Sequence, residues 1–200
     1  MGRTGGIRMY KLCKTEQSAI RQRELELVLA DMMQGQRYED ISVSEFCSHA
    51  GIPRKAFYRY FSSKDGALNA LMDHTLLEYE QIREPGDRNP GRSILQELEG
   101  FYRFWHMQKP ILDALEFSGL SGKLVERALS FAETFSFLQH VRAAENESRQ
   151  RQTIRFAVSG IMIVMLNWHQ DGYRESIREM AELTAQIITQ PLLPSLRDFN

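Results

Sequence analysis

Cysteine, long apolar runs and a dominant charge sign are all scarce in this 200-residue chain. Cys13 and Cys47 allow one bridge at most. A chain of this length buries enough core to need none, so reduced thiols and a cytoplasmic setting are expected. The longest uninterrupted apolar run covers residues 161–166. Even widened to 156–168, through Ser159 and Gly160, it falls short of the roughly 20 residues a membrane helix needs. The amino terminus carries Arg3, Arg8, Lys11 and Lys14 but no apolar stretch of the secretory kind.

Catalytic signatures are missing too. There is no Gly-x-Ser-x-Gly, His-Glu-x-x-His, Walker or Gly-x-Gly-x-x-Gly pattern, and Gly122-Lys123 is followed by leucine rather than Ser or Thr. None of the five histidines has a glutamate three residues before it, which argues against a di-iron bundle. His106, His140 and His169 lack metal-ligand spacing. No enzyme, no cofactor and no metal are expected.

The 25 Lys and Arg against 26 Asp and Glu leave a formal charge of −1, poor ground for a partner as anionic as DNA. The sum hides a polarised distribution. Residues 1–64 hold 11 basic and 7 acidic side chains, a net +4, while residues 65–200 hold 14 and 19, a net −5.

Alternating strand patterns are poor, whereas helical periodicity recurs throughout, so the expected class is all-α with about nine helices. Residues 1–14 are basic, glycine-rich and aperiodic and are expected to form a flexible arm. Thr15 can cap a helix whose apolar stripe is Ile20, Leu25, Val28, Leu29 and Met32, ending at Gly35. Ser42, with Glu45 three residues on, forms a capping box for a short helix stopped by Gly51. Pro53 suits the first turn of another helix, reaching residue 60 or 61. Ser62-Ser63 can cap a fourth over 64–84, with Leu68, Leu71, Met72, Leu76 and Tyr79 on one face. The Pro- and Gly-rich stretch 84–91 reads as a hinge. Further helices are expected near 92–107, 110–118, 121–142, 147–170 and 174–190. The implied organisation is an arm (1–14), an amino-terminal helical domain (15–63), a connecting helix (64–84) and a carboxy-terminal helical domain (85–200).

Two short helices around Gly51, the second rich in cations and tyrosines, form a helix-turn-helix pattern. The tight turn needs a residue that tolerates unusual backbone angles, which Gly51 supplies. The second helix would enter the major groove and show Arg54, Lys55 and Ala56 to base edges. Arg54 and Lys55 can donate to guanine N7 and O6 or to phosphate. Tyr58 and Tyr60 can reach phosphates through their hydroxyls. Ser42, Ser44 and Lys64 stand at helix N-termini, where amides favour an anion. Val43, Phe46, Ile52, Phe57 and Phe61 face inward.

The segment 42–64 resembles the DNA-binding signature of the tetracycline-repressor-type (TetR/AcrR) family. Ala50-Gly51-Ile52, Phe57-Tyr58-Arg59-Tyr60-Phe61 and Ser63-Lys64 carry the resemblance, which covers residues 15–80. Pro53, Lys55 and Cys47 depart from the usual serine, glycine and alanine. The first two departures lie at the groove-facing end, so an unusual base preference is expected; Cys47 is expected to fill the core.

The resemblance implies a homodimer on a palindromic operator in double-stranded DNA, acting as a repressor released by a small hydrophobic or aromatic effector. Ile154, Ala157, Val158, Ile161, Met165 and Trp168, with Ile177, Met180, Ala181, Thr184, Ile187 and Ile188, would pair across a four-helix interface or else fill the monomer's own core. Phe101, Trp105, Phe117, Phe131, Phe135, Met162, Met165 and Trp168 could line the effector cavity or be plain core. The alternative is an effector-independent DNA-binding protein of the same fold with that core filled.

Overall fold

A computed structural model describes residues 10–82, 93–132 and 147–189. Among these residues the chain forms nine α-helices and one 3-10 turn: α1 (Glu16–Gly35), the turn Tyr38–Asp40, α2 (Val43–His49), α3 (Arg54–Tyr60), α4 (Lys64–Ile82), α5 (Ile94–Met107), α6 (Lys109–Phe117), α7 (Ser121–Phe131), α8 (Glu147–Gln170) and α9 (Ile177–Thr189). The all-α expectation and the helix count hold.

Local chemistry sets most boundaries. Thr15 accepts from the Ser18 amide and opens α1. Ser42 and Glu45 complete the expected capping box, each side chain bonded to the other's backbone N–H. Ser63 Oγ accepts from Gly66 N–H at the start of α4. Two further boxes, Ser93 with Gln96 and Ser176 with Glu179, start α5 and α9 later than periodicity alone placed them. Before α9 the chain turns through Gly172 (φ 76°) and Tyr173 (φ 58°) in the left-handed region. That turn keeps residues 174–176 out of the helix.

The chain forms two compact units, Met1–Glu78 with Pro110–Arg127, and Tyr79–Lys109 with Ala128–Asn200. Helices α6 and α7 thus belong largely with the amino-terminal helices, so the units do not follow a linear division at residue 84.

In the first unit Leu25, Leu29, Met33, Phe46, Phe57, Phe61, Leu68, Leu71 and Met72 are buried, with Phe46 and Phe61 each 5.3 Å from the Phe57 ring. Cys47 is buried with them. The stripe expected on α1 is rotated: Ile20 is exposed, and Gln22, Glu26, Ala30 and Met33 join Leu25 and Leu29 inside. Two polar side chains can be buried there because both are paired. Glu26 meets His74 Nδ1 at 2.8 Å and Arg23 at 3.2 Å, and Gln22 donates to the Lys11 carbonyl. Tyr10, in the stretch expected to form a flexible arm, is buried.

In the second unit α5 packs on α9, and α8 touches both. Phe101, Tyr102, Phe104 and Trp105 of α5, Tyr79 of α4 and Trp168 of α8 are buried, and their rings meet edge-on or tilted. Tyr102 Oη and Thr184 Oγ1 share a buried hydrogen bond of 2.6 Å. Burial pushes the Tyr102 hydroxyl up to about 12. The α8 face expected to pair between subunits, Ile154, Val158, Ile161, Met165 and Trp168, is buried within this unit, as are Met180, Ala181 and Thr184 of α9. These residues form the unit's own core. No helix among the described residues is long and apolar enough to cross a membrane.

Candidate DNA-binding interface

Helices α2 and α3 are seven residues each, too short to persist alone in water. They are held by Phe46 and Phe57 beneath them and by the turn between them. Gly51 takes φ 63° in that turn, and Ile52 N–H donates back to the Cys47 carbonyl at 2.9 Å. Pro53 caps α3 rather than sitting within it, with its carbonyl accepting from the amides of Ala56 and Phe57.

Three of the residues expected to meet DNA come together on the surface. Arg54 donates to the Tyr58 hydroxyl at 3.3 Å and to Ser44 Oγ at 3.5 Å, and its guanidinium carbon lies 6.0 Å from the Tyr58 ring centroid. This neighbourhood raises the Arg54 pKa, chiefly through the Tyr58 hydrogen bond, so the cation is retained. Ser42 and Lys55 are exposed, while Ala56 and Tyr60 are half-buried. Ser42 spends its Oγ on the Glu45 amide. The Ser42 side chain first, and then the Ser42 backbone N–H that donates to Glu45 Oε2 at 2.8 Å, hold the Glu45 carboxyl below its usual range.

Lys64 is differently placed. Its Nζ donates to the carbonyls of Tyr38 (2.6 Å) and Glu39 (3.1 Å) and lies 4.3 Å from the Tyr38 ring centroid. Tyr38 is anchored further by its hydroxyl on Asp65 (2.5 Å) and its N–H on Ser118 Oγ (3.0 Å). Burial first, and then Asp65, push the Tyr38 hydroxyl far above its ordinary value. The sequence offered no signal for this hub, because its partners lie 26, 27 and 80 residues away.

The residues proposed for an effector do not form one set. Phe101, Trp105, Met162, Met165 and Trp168 are buried in the second unit, and Phe131 there is half-buried. Phe117 belongs to the first unit and is 52% exposed. Phe135 lies outside the described residues. A small apolar pocket in the second unit is lined by Tyr79, Ile94, Glu97, Leu98, Phe101 and Ile161. Sequence reasoning had picked only Phe101 of these for a ligand.

Residues 30–71, from the middle of α1 into α4, match the profile of bacterial regulatory proteins, tetR family. No curated protein sequence matches the chain. Among solved structures, a tetR-family transcriptional regulator from Streptomyces coelicolor is similar at 25% identity and a TM-score of 0.55, covering 84% of this chain and 79% of that one. The fatty acid degradation regulator FadR from Bacillus halodurans is similar in fold at 14% identity and a TM-score of 0.62, covering 90% and 98%. The dihydroxyacetone kinase operon activator DhaS is similar in fold at 17% identity and 0.58, covering 85% and 94%. Residues 30–71 thus form a helix-turn-helix region of the tetR regulatory-protein type, carried on an all-α fold similar to that of a tetR-family transcriptional regulator.

Proposed function

We propose that the protein is a cytoplasmic, homodimeric repressor, not an enzyme, and that it binds a palindromic operator and is released by a small hydrophobic effector. The cluster of Ser44, Arg54 and Tyr58 carries the DNA part of this reading. It gathers a forked cation and the Tyr58 hydroxyl on the helix that follows the tight turn, beside the Ser44 hydroxyl of α2. Arg54 and Lys55 would read bases, Ala56 would lie against them, and Ser42, Ser44, Tyr58 and Tyr60 would hold phosphates. Lys64 keeps a third N–H for phosphate beyond the two given to carbonyls.

The net +4 of residues 1–64 is modest, so one subunit would hold DNA weakly. Pairing doubles the phosphate contacts and puts two recognition helices about 34 Å apart. The support for pairing is an apolar stripe on α8 opposite its buried face. Phe156 (72% exposed), Gly160 and Ile163 (47% exposed) recur at helical spacing. Effector binding would turn α4, which contributes residues to both compact units, and change the spacing of the recognition helices.

The effector part rests on a single group. The Trp105 indole N–H is buried with no hydrogen-bond acceptor among the described residues, a cost that a ligand carrying an acceptor would remove. A second reading, regulation without an effector, is favoured by the way Phe101, Tyr102, Phe104, Trp105 and Trp168 fill space against one another.

Selection of bound DNA from random duplexes tests the first part, and a two-fold symmetric consensus is expected. Failure to enrich any sequence, or enrichment of a single asymmetric half-site, would sink it. A thermal-shift screen separates the two effector readings, because a saturating ligand raises the melting temperature. Trp105→Phe should abolish that rise if the indole is the donor.

A further inference from the structure

We infer that Tyr10 and Lys11 form a strap that positions the recognition helix α3 for DNA without itself touching DNA. Helix α3 ends after two turns, which leaves its last carbonyls without intrahelical donors. Lys11 supplies them. Its backbone N–H donates to the Tyr60 carbonyl at 2.9 Å, and its Nζ donates to the Tyr58 carbonyl at 3.2 Å. Those two tyrosines are the ones whose hydroxyls are assigned to phosphates, so one residue grips the backbone of both. A cation at that end also opposes the negative pole of the helix.

The strap is fixed on its other sides. Tyr10 pairs with Phe61 in an isolated antiparallel bridge, and its ring meets His74 of α4 edge-on, with centroids 5.2 Å apart. Its hydroxyl donates to Asp73 Oδ2 at 2.8 Å. Asp73 is almost fully buried, and its two oxygens also receive Arg127 of α7, Oδ1 at 2.6 Å from Nε and Oδ2 in a shorter contact from Nη2. Behind Lys11, the buried Gln22 of α1 donates to the Lys11 carbonyl (3.2 Å), while Gln22 Oε1 accepts from Cys13 Sγ at 3.0 Å. Residues 10–13 therefore join α1, α3 and α4, and through Asp73 they reach α7. The strap thus fixes the last turn of a helix whose interior anchor is Phe57 alone.

A group that selects a binding-competent orientation changes apparent affinity by the fraction it populates. It leaves the number of phosphates neutralised, and hence the salt slope, untouched. The test uses the full chain and the duplex recovered by selection, with Tyr10→Phe and Lys11→Met measured for affinity, salt dependence and melting temperature. Leu29→Val, which removes a methylene from a buried side chain of α1 that makes no hydrogen bond to the strap, is the stability control. Each strap variant should weaken binding about three- to tenfold with an unchanged salt slope. Lys11→Arg should restore the affinity, and Leu29→Val should leave it intact at a comparable melting shift. Three results would overturn the inference. Full affinity in Tyr10→Phe reduces the strap to packing. A slope about one unit lower in Lys11→Met puts that lysine on phosphate. Equal weakening by Leu29→Val makes the effect one of stability. If the unaltered chain enriches no duplex at all, it is the operator reading that fails, not the strap.

Discussion

Lys64 Nζ lies 2.6 Å from the carbonyl oxygen of Tyr38 and 4.3 Å from the centroid of the same residue's ring. One ammonium therefore closes the 3-10 turn onto the start of α4 from two directions. Lys64→Ala should destabilise the fold by about 1–2 kcal/mol, read by chemical denaturation, because two carbonyls lose a charged donor. If its third N–H also meets phosphate, the salt slope of DNA binding falls by about one unit. A normal slope with reduced stability would leave the clamp and remove the phosphate contact.

Gly51 and Gly100 separate backbone strain from crowding. A Cβ at either position meets nothing within 4 Å, but only Gly51 has a positive φ, 63°. Gly51→Ala should therefore cost about 1–2 kcal/mol through the left-handed backbone. Gly100→Ala, inside α5, should stabilise by about 0.5–1 kcal/mol. Equal effects in thermal melts would mean that the turn does not depend on glycine's backbone freedom.

The Ser42–Glu45 box and the Gly51 turn were legible in the sequence because both are local. Each is complete within a few residues, so spacing alone specifies the contact. Tyr10 was not legible. Its partner Asp73 lies 63 residues on, and a tyrosine in a basic, glycine-rich stretch carries no periodic sign of burial. Helix α8 was legible only in part. Ile154, Val158, Ile161 and Met165 mark one apolar stripe, and Phe156 and Ile163 lie outside it. Periodicity found the first face but could not say whether it meets the chain's own helices or a partner. The buried Gln22 and Glu26 of α1 misled for the converse reason, as their partners come from the strap and α4.

Arg54 is exposed and bonded only to Tyr58 and Ser44 side chains in the described contacts, so its loss should spare the fold. Arg54→Ala is expected to weaken binding to the selected duplex about ten- to a hundredfold and to relax preference at one base position. Competition with duplexes altered base by base checks this. Uniform weakening across all sequences would place the guanidinium on phosphate instead.

Glu45 and Glu179 both have carboxyls held below the ordinary value by their capping serines. A carboxyl depressed on folding stabilises the native state above its unfolded value, about 4.3, and gives that up as pH falls through the folded value. Melting temperature should therefore drop as pH falls from about 5 to about 3. Glu45→Gln and Glu179→Gln keep an amide oxygen for the box but have no proton to gain, so their acid limb should be flatter. An acid limb identical to that of the unaltered chain would mean that these caps contribute nothing to it.

Phe156 is 72% exposed on α8, one turn from Gly160 and two turns from Ile163. An isolated phenylalanine at a surface needs no explanation, but a repeating apolar stripe beside a small residue suits close helix approach. Phe156→Glu places like charges face to face across a two-fold axis, since an isologous contact sets each residue near its own copy. The variant should sediment as a folded monomer with an unchanged helical signal. It should lose at least about a hundredfold in affinity for a palindromic duplex while still holding a single half-site as the unaltered subunit does. A variant that stays dimeric and binds normally would move the interface off this stripe, and pairing through other surfaces of α8 and α9 would then have to supply the operator spacing.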